Sequence, residues 1–210
     1  ADLRAMGKNT LWIDANDIQS GIVQQMQRSN LPTLSLDDRY LPAAQSRLGI
    51  SRGVNEALED IGYVPRAGYV ELSRQFDAVR KLGNEVQLID DVLFSGDMLI
   101  WVAEQLKKRN IRIGRVVCGV AITQGIERLE SVGIPVDTVV GFDEVDDEIC
   151  ERDFALVPGS GRRVDDLDAN ALYFDNIYGR PTQWASLPPE DAETFCLASL
   201  ERSLELLRPT

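Results

Sequence analysis

Two adjacent carboxylates, Asp90 and Asp91, follow an apolar run (Val86, Leu88, Ile89), and Ser95 and Gly96 come next, just ahead of a helical pattern. A small Ser-Gly loop before a helix exposes unpaired backbone N–H groups and the positive end of the helix dipole, which suits a phosphate or another anion. Carboxylates a few residues upstream can accept hydrogen bonds from sugar hydroxyls or help hold a divalent cation bound to the same ligand. Together these residue types fit a sugar phosphate lying across the carboxyl end of a strand. They also serve a plainer purpose in many α/β proteins, where an acidic residue at a strand end only caps the next helix or faces water. Spacing alone leaves both readings open.

The elements that must position these residues read as strand, acidic turn, loop and helix, with the helix running from Met98 through Leu106. Its residues Leu99, Val102, Ala103 and Leu106 share one face. A helix over Glu71–Leu82, with Leu72, Phe76 and Val79 on one stripe, delivers the chain into the strand. Beyond the loop the pattern predicts a strand at Ile113–Ile122, a helix over Gln124–Val132 and a strand at Val136–Phe142. The run Val116–Ile122 is apolar throughout, as a strand covered on both faces requires. Strands alternating with helices imply parallel pairing and right-handed crossovers. The expected fold class is therefore α/β, a mostly parallel open sheet flanked by helices. At the N-terminal side, a strand at Leu11–Ile13, a helix from Asp17 to about Arg28 and a strand at Leu34–Leu36 are expected, and Ala1–Lys8 is expected to be disordered.

The segment VQLIDDVLFSGDML, Val86–Leu99, resembles the phosphoribosyl-pyrophosphate-binding motif of type I phosphoribosyltransferases, in which a hydrophobic strand runs into two acidic residues and a small hydroxyl-rich loop. The order of strands and helices through Phe142 is similar to that family's Rossmann-like core. The resemblance implies a transferase that binds phosphoribosyl pyrophosphate with magnesium and moves the 5-phosphoribosyl group to a nitrogenous base. It implies that Asp90 and Asp91 hold the ribose hydroxyls and assist Mg, directly or through water. It further implies substrate binding over Val92, Leu93, Phe94, Ser95, Gly96, Asp97 and Met98, with the last four around the 5′-phosphate. Three residues depart from the family pattern. Phe94 stands where relatives often carry Thr, Ala or Asp, Asp97 puts a negative charge in the phosphate loop, and Met98 replaces a hydroxyl residue. These departures carry the alternative of a catalytically inactive sugar-phosphate or nucleotide-binding regulator, or of a partner-binding protein on the same fold.

Composition narrows the classes further. The 210 residues carry a net charge of −12, which argues against non-specific binding to nucleic acid or to an anionic membrane, because both need a basic face. With no histidine, Ser-His-Asp and Cys-His catalysis and His-based metal sites are excluded. Cys118, Cys150 and Cys196 lack metal-ligand spacing and form no disulfide framework. Absence of a 20-residue apolar run and of a signal peptide points to a cytoplasmic location. The chain is expected to fold as a single domain, with residues 143–210 as a C-terminal extension packing on the core.

Between Thr33 and Gly68 the periodicity breaks down. Long irregular stretches in a compact domain are usually functional or mobile. Ser51-Arg52-Gly53 and Pro65-Arg66-Ala67-Gly68 are the candidates for a diphosphate loop, because an Arg beside a Gly brings a guanidinium and a close backbone to one anion. The same arginines could instead pair with surface carboxylates. Val157-Pro-Gly-Ser-Gly-Arg162-Arg163 is a second anion-site candidate, with Arg162 as a possible substrate contact. The acidic run Phe142–Glu148 reads as exposed helix or loop, and Lys107-Lys108-Arg109 as a solvated helix end. Tyr173, Phe174, Tyr178 and Trp184 could stack on a planar base or pin the tail to the core. A final helix begins at Pro189 and carries Phe195, Leu197, Leu200, Leu204 and Leu207 on a broad apolar face suited to the sheet or to a homodimer interface.

Overall fold

The computed structural model describes residues 9–37, 41, 44–147, 149, 161–165, 167, 169–175 and 179–208. Ala1–Lys8, Glu148, Cys150, Val157–Ser160 and Tyr178, each singled out above, lie outside the described residues. The chain divides into two compact units, one of residues 12–49 and 70–145, the other of residues 1–11, 50–69 and 146–210.

The first unit is built on a wholly parallel sheet of β1 (Thr33–Ser35), β2 (Ser46–Arg47), β5 (Glu85–Leu93), β6 (Arg112–Ile122) and β7 (Val136–Phe142), in the order β2-β1-β5-β6-β7. Strand β5 is rich in β-branched and apolar residues and is central, so both faces need covering. Helix α1 (Ala15–Met26), capped by the Asp14 carboxylate accepting from Asn16 N at 2.8 Å, lays Ile18 and Ile22 against Ile89 and Val117. Helices α2 (Leu72–Val79) and α3 (Asp97–Lys107) bury Phe76, Val79, Leu99, Val102 and Leu106, and Phe76 meets Trp101 edge-on at 5.5 Å. Helix α4 (Thr123–Ser131) joins β6 to β7 and buries Leu129.

The expected elements from Glu71 to Phe142 are present with small boundary shifts, and the mostly parallel sheet flanked by helices stands as expected. Three details differ. The acidic pair is not in a turn, because β5 continues through Asp90 and Asp91 to Leu93 with Asp90 paired to Cys118 and Leu93 to Ala121. Leu11–Ile13 forms no strand, and Leu11 and Trp12 are largely exposed. Arg109 is more than a solvated helix end. Its guanidinium binds Asp77 at 2.8 Å, donates to the Ser73 carbonyl and lies 5.4 Å from the Phe76 ring, tying α2 to the end of α3.

The second unit contains a sheet that the sequence pattern does not announce, in the order β4-β3-β8-β9, from β3 (Ile50–Val54), β4 (Asp60–Pro65), β8 (Arg162–Val164) and β9 (Asn170–Ala171). β3 and β4 form an antiparallel hairpin, β3 and β8 run parallel, and β8 and β9 are antiparallel. Val54, Val164 and Ala171 make one small core with Leu58 and Trp184 against it. A second core gathers Phe174, Ala185, Leu187, Ala192, Phe195 and Cys196 around the short helix α5 (Pro181–Trp184) and the long helix α6 (Pro189–Leu207). Phe174 packs edge-on to Phe195 at 5.1 Å, so it pins the final helix. No helix among the described residues is long and apolar enough to cross a membrane.

Candidate functional site

The loop between β5 and α3 sits at the carboxyl end of a central parallel strand, where open α/β sheets bind ligands. Gly96 is the N-cap of α3 and adopts φ +77°, ψ 1°, a left-handed conformation that glycine takes without strain. That turn lets Ser95 and Asp97 close on each other. The Ser95 hydroxyl donates to Asp97 Oδ2 at 2.7 Å, and Ile100 N already returns to the Gly96 carbonyl at 2.9 Å. The first amides of α3 are those that a helix leaves without intrahelical partners.

The Asp97 charge has a counter-ion that the sequence reading did not find. Arg128, on α4, places Nη1 2.7 Å from Asp97 Oδ1 and 3.1 Å from the Ser95 carbonyl oxygen. One guanidinium therefore holds both ends of the Ser95–Asp97 turn and neutralises the carboxylate beside the first amides of α3. The available signal was Thr123-Gln-Gly125 at the end of β6, which places the start of α4 on the ligand side of the sheet. Because both partners are about half exposed, the pair is worth at most about 0.5 kcal/mol of stability. Arg128→Gln is expected to leave the melting temperature almost unchanged and to weaken phosphate-ligand affinity roughly three- to tenfold in titration calorimetry, because the loop then carries an uncompensated negative charge.

A second contact fixes the loop from below. A Cβ built on Gly125 would lie 2.0 Å from the Phe94 carbonyl oxygen and 2.8 Å from Leu93 Cγ, so α4 approaches the loop backbone more closely than any residue with a side chain allows. Phe94 itself is half-buried.

The two carboxylates are unequal. Successive side chains of a strand point to opposite faces. Asp90 is 4% exposed, its Oδ1 accepts from Asp91 N at 3.1 Å, and it lies beside Cys118; Asp91 is half-buried. Burial, with a smaller effect from Asp90, pushes the Cys118 thiol well above its usual range, which makes it a packing residue and not a nucleophile. Burial and then Asp175 push Cys196 up to about 11.

Next to β5 lies the end of β1, also unmarked as a site in the sequence. The Leu36 amide donates to the Ile89 carbonyl at 2.8 Å, and beyond it Asp37 is buried, its Oδ2 accepting from Leu41 N at 3.3 Å. In a parallel sheet this carboxyl end shares its edge with that of β5.

The three arginines singled out from the sequence fall in the other unit. Arg52 is exposed on β3 opposite Tyr63, and Arg66 donates to the Ile50 carbonyl at 3.3 Å. Arg162 is nearly buried on β8, where it pairs with Asp60 at 3.0 Å and lies 4.5 Å from the Trp184 ring and 5.8 Å from Tyr173. Tyr173 and Trp184 meet edge-on at 6.0 Å, so these rings enclose the guanidinium. The acidic run is partly tied down, with Asp147 Oδ2 accepting from Ser186 N and the Asp146 carbonyl from the Ser186 hydroxyl, both at 2.7 Å.

The acid-bearing β5 thus runs through a glycine-capped loop into α3 at the carboxyl end of a parallel sheet. Comparison with known proteins finds relatives of part of the chain. The chain is 26% identical over 128 residues to a uracil phosphoribosyltransferase of Agathobacter rectalis, covering 58% of this chain and 60% of that protein. It is also 26% identical over 138 residues to one from Shouchella clausii, covering 60% and 63% respectively. The chain thus matches less than two thirds of the length of these relatives. Among solved structures, an orotate phosphoribosyltransferase from Aeropyrum pernix matches 60% of this chain and 68% of its own, at a TM-score of 0.37 and 16% identity. No family model matches the chain. The curated matches bear out the resemblance to phosphoribosyltransferases read from Val86–Leu99.

Proposed function

We propose that the chain is a phosphoribosyltransferase that binds phosphoribosyl pyrophosphate with magnesium and passes the 5-phosphoribosyl group to a nitrogenous base. The observation that carries this reading is the β5–loop–α3 unit, with Asp90 and Asp91 three and two residues before the strand's end and a left-handed Gly96 opening the helix. The curated relatives' names support it and make uracil the first acceptor to test. In this reading the amides of Ser95, Gly96, Asp97 and Met98 receive the 5′-phosphate, and Val92, Leu93 and Phe94 form the wall beneath the sugar. Asp91, from its half-buried place, accepts from the ribose hydroxyls, and Asp90 fixes the Asp91 backbone behind it.

The half-buried Asp91 carboxylate, directly or through water, plus a substrate diphosphate would supply the oxygen donors that magnesium prefers, with Asp90 behind it. Bound there, magnesium would neutralise the departing diphosphate. The chain's own contribution is positional and electrostatic: it orients the ribose and holds the phosphate at the helix end. The candidates that the sequence offers for the diphosphate, Arg52, Arg66 and Arg162, belong to the other unit, where Arg162 is held on Asp60 and Trp184.

A second reading, binding without turnover, is favoured by Phe94, whose ring can transfer no proton, and by the Asp97 carboxylate already held on Arg128 and Ser95. One experiment separates them. Calorimetric titration of phosphoribosyl pyrophosphate with magnesium is expected to show saturable binding that Asp90→Asn/Asp91→Asn abolishes. Diphosphate release on adding uracil or another base supports the transferase; binding with no release across the base panel supports the regulator. No binding at millimolar ligand would sink both.

A further inference from the structure

Two donors converge on one carboxylate at the start of α3. The Ser95 hydroxyl donates to Asp97 Oδ2 and Arg128 Nη1 binds Asp97 Oδ1, both at 2.7 Å, so each oxygen of the side chain has a partner. A hydroxyl and a guanidinium beside helix-end amides are the groups that serve a phosphate best. Asp97 therefore stands as an internal anion among them. The two side chains are 54% and 45% exposed, so water screens the pair and exchanging its partners costs little. Arg128 Nη1 also donates to the Ser95 carbonyl at 3.1 Å. A guanidinium has five N–H donors, so Arg128 can keep that carbonyl and still turn from Asp97 to a second anion.

We propose that Asp97 is a built-in competitor of the ligand phosphate: a phosphate arriving at the amides of Ser95–Met98 displaces the Asp97 side chain and takes over the Ser95 hydroxyl and the Arg128 guanidinium. This rests on the sugar-phosphate reading of the same site. It adds a phosphate-binding residue, Arg128, and a residue that limits affinity, Asp97. A phosphate dianion carries more charge than a carboxylate and offers three acceptor oxygens in place of two, so it wins the shared donors once the ribose contacts hold it there. Asp97 loses little by leaving. It sits in the first turn of α3, where an acid turned outward still meets the positive end of the helix dipole. Two roles for Arg128 then differ in a measurable way. A guanidinium that only neutralised Asp97 would matter to the ligand only while Asp97 is present. One that binds the phosphate matters more once Asp97 is gone, because no internal anion competes for it.

Titration calorimetry with two ligands tests this, phosphoribosyl pyrophosphate with magnesium and ribose 5-phosphate alone. Asp97→Ala is expected to bind both roughly three- to tenfold more tightly than the wild type, and Asp97→Asn should shift in the same direction. Arg128→Gln placed in the Asp97→Ala chain should then cost about tenfold or more, a larger factor than the same change costs in the wild type. Both side chains are about half exposed, so the far-ultraviolet spectra of all variants should match the wild type. The inference is overturned if neither Asp97 variant binds more tightly than the wild type. It is equally overturned if the cost of Arg128→Gln stays the same or shrinks once Asp97 is removed. In both cases saturable binding by the wild type leaves the sugar-phosphate reading standing. If no chain binds either compound, that reading falls and this inference with it.

Discussion

Replacing Gly125 by Ala is expected to damage a loop about thirty residues away in sequence and to cost both stability and ligand affinity. The added Cβ would meet the Phe94 carbonyl oxygen at 2.0 Å and Leu93 Cγ at 2.8 Å. Leu93 can rotate, but the carbonyl belongs to the backbone that leads directly into Ser95-Gly96-Asp97. Either α4 lifts from the sheet, uncovering the fully buried Leu129, or residues 94–96 move. Overpacking of this kind costs about 1–3 kcal/mol, against a helix-propensity gain of up to about 1 kcal/mol for replacing Gly by Ala. The overpacking term is the larger, since this contact is closer than a side chain's rearrangement can relieve. A melting temperature lower by about 2–6 °C is expected for a chain of this size. A loop displaced by about 1 Å should also weaken phosphoribosyl-pyrophosphate affinity by tenfold or more. Glu130→Ala, on the exposed face of the same helix, should do neither. A Gly125→Ala protein that melts higher and binds unchanged would show that α4 and the loop do not meet as described.

Strength of periodicity separates what the sequence made legible from what it did not. From Glu71 to Phe142 each strand is an apolar run and each helix has a clear stripe, so boundaries move by only a residue or two. The strand end was misjudged because two carboxylates look like a turn, whereas β5 carries them in register with β6, Asp90 beside Cys118. The sheet of the second unit escaped notice for a different reason. β8 and β9 are three and two residues long, and β3 pairs with β8 across more than a hundred residues, as Gly53 with Arg163. Short strands joined by non-local pairs leave no local period to read. The acids and the Ser-Gly turn of the site were likewise legible, being contiguous. Arg128 was not, because its partnership with Asp97 exists only after α4 packs against the loop. In α6, composition showed an apolar helix but not which side turns inward, since Phe195 and Cys196 outweigh the leucines only once Phe174 and Leu187 are in place.

The two carboxylates should separate on mutation into one that serves the ligand and one that serves the fold. Asp91→Asn removes a charge from a half-buried side chain at the carboxyl end of β5 while keeping its shape. Losing one charge-assisted hydrogen bond costs about 1.5–3 kcal/mol of binding, roughly a ten- to hundredfold rise in the dissociation constant for phosphoribosyl pyrophosphate. The melting temperature without ligand should stay within about 2 °C of wild type. Asp90→Ala acts on the other side of the strand. It removes the acceptor of the Asp91 amide and leaves a small void beside the fully buried Cys118. Losing that hydrogen bond costs about 0.5–1.5 kcal/mol and the void adds to it, so this variant should melt about 2–6 °C lower. Its affinity should fall as well, because the Asp91 backbone is no longer fixed. Scanning calorimetry and titration of both variants decide the matter. If Asp91→Asn binds as tightly as wild type, the strand end is only a cap for the loop, and the transferase reading loses the residue on which its sugar contact depends.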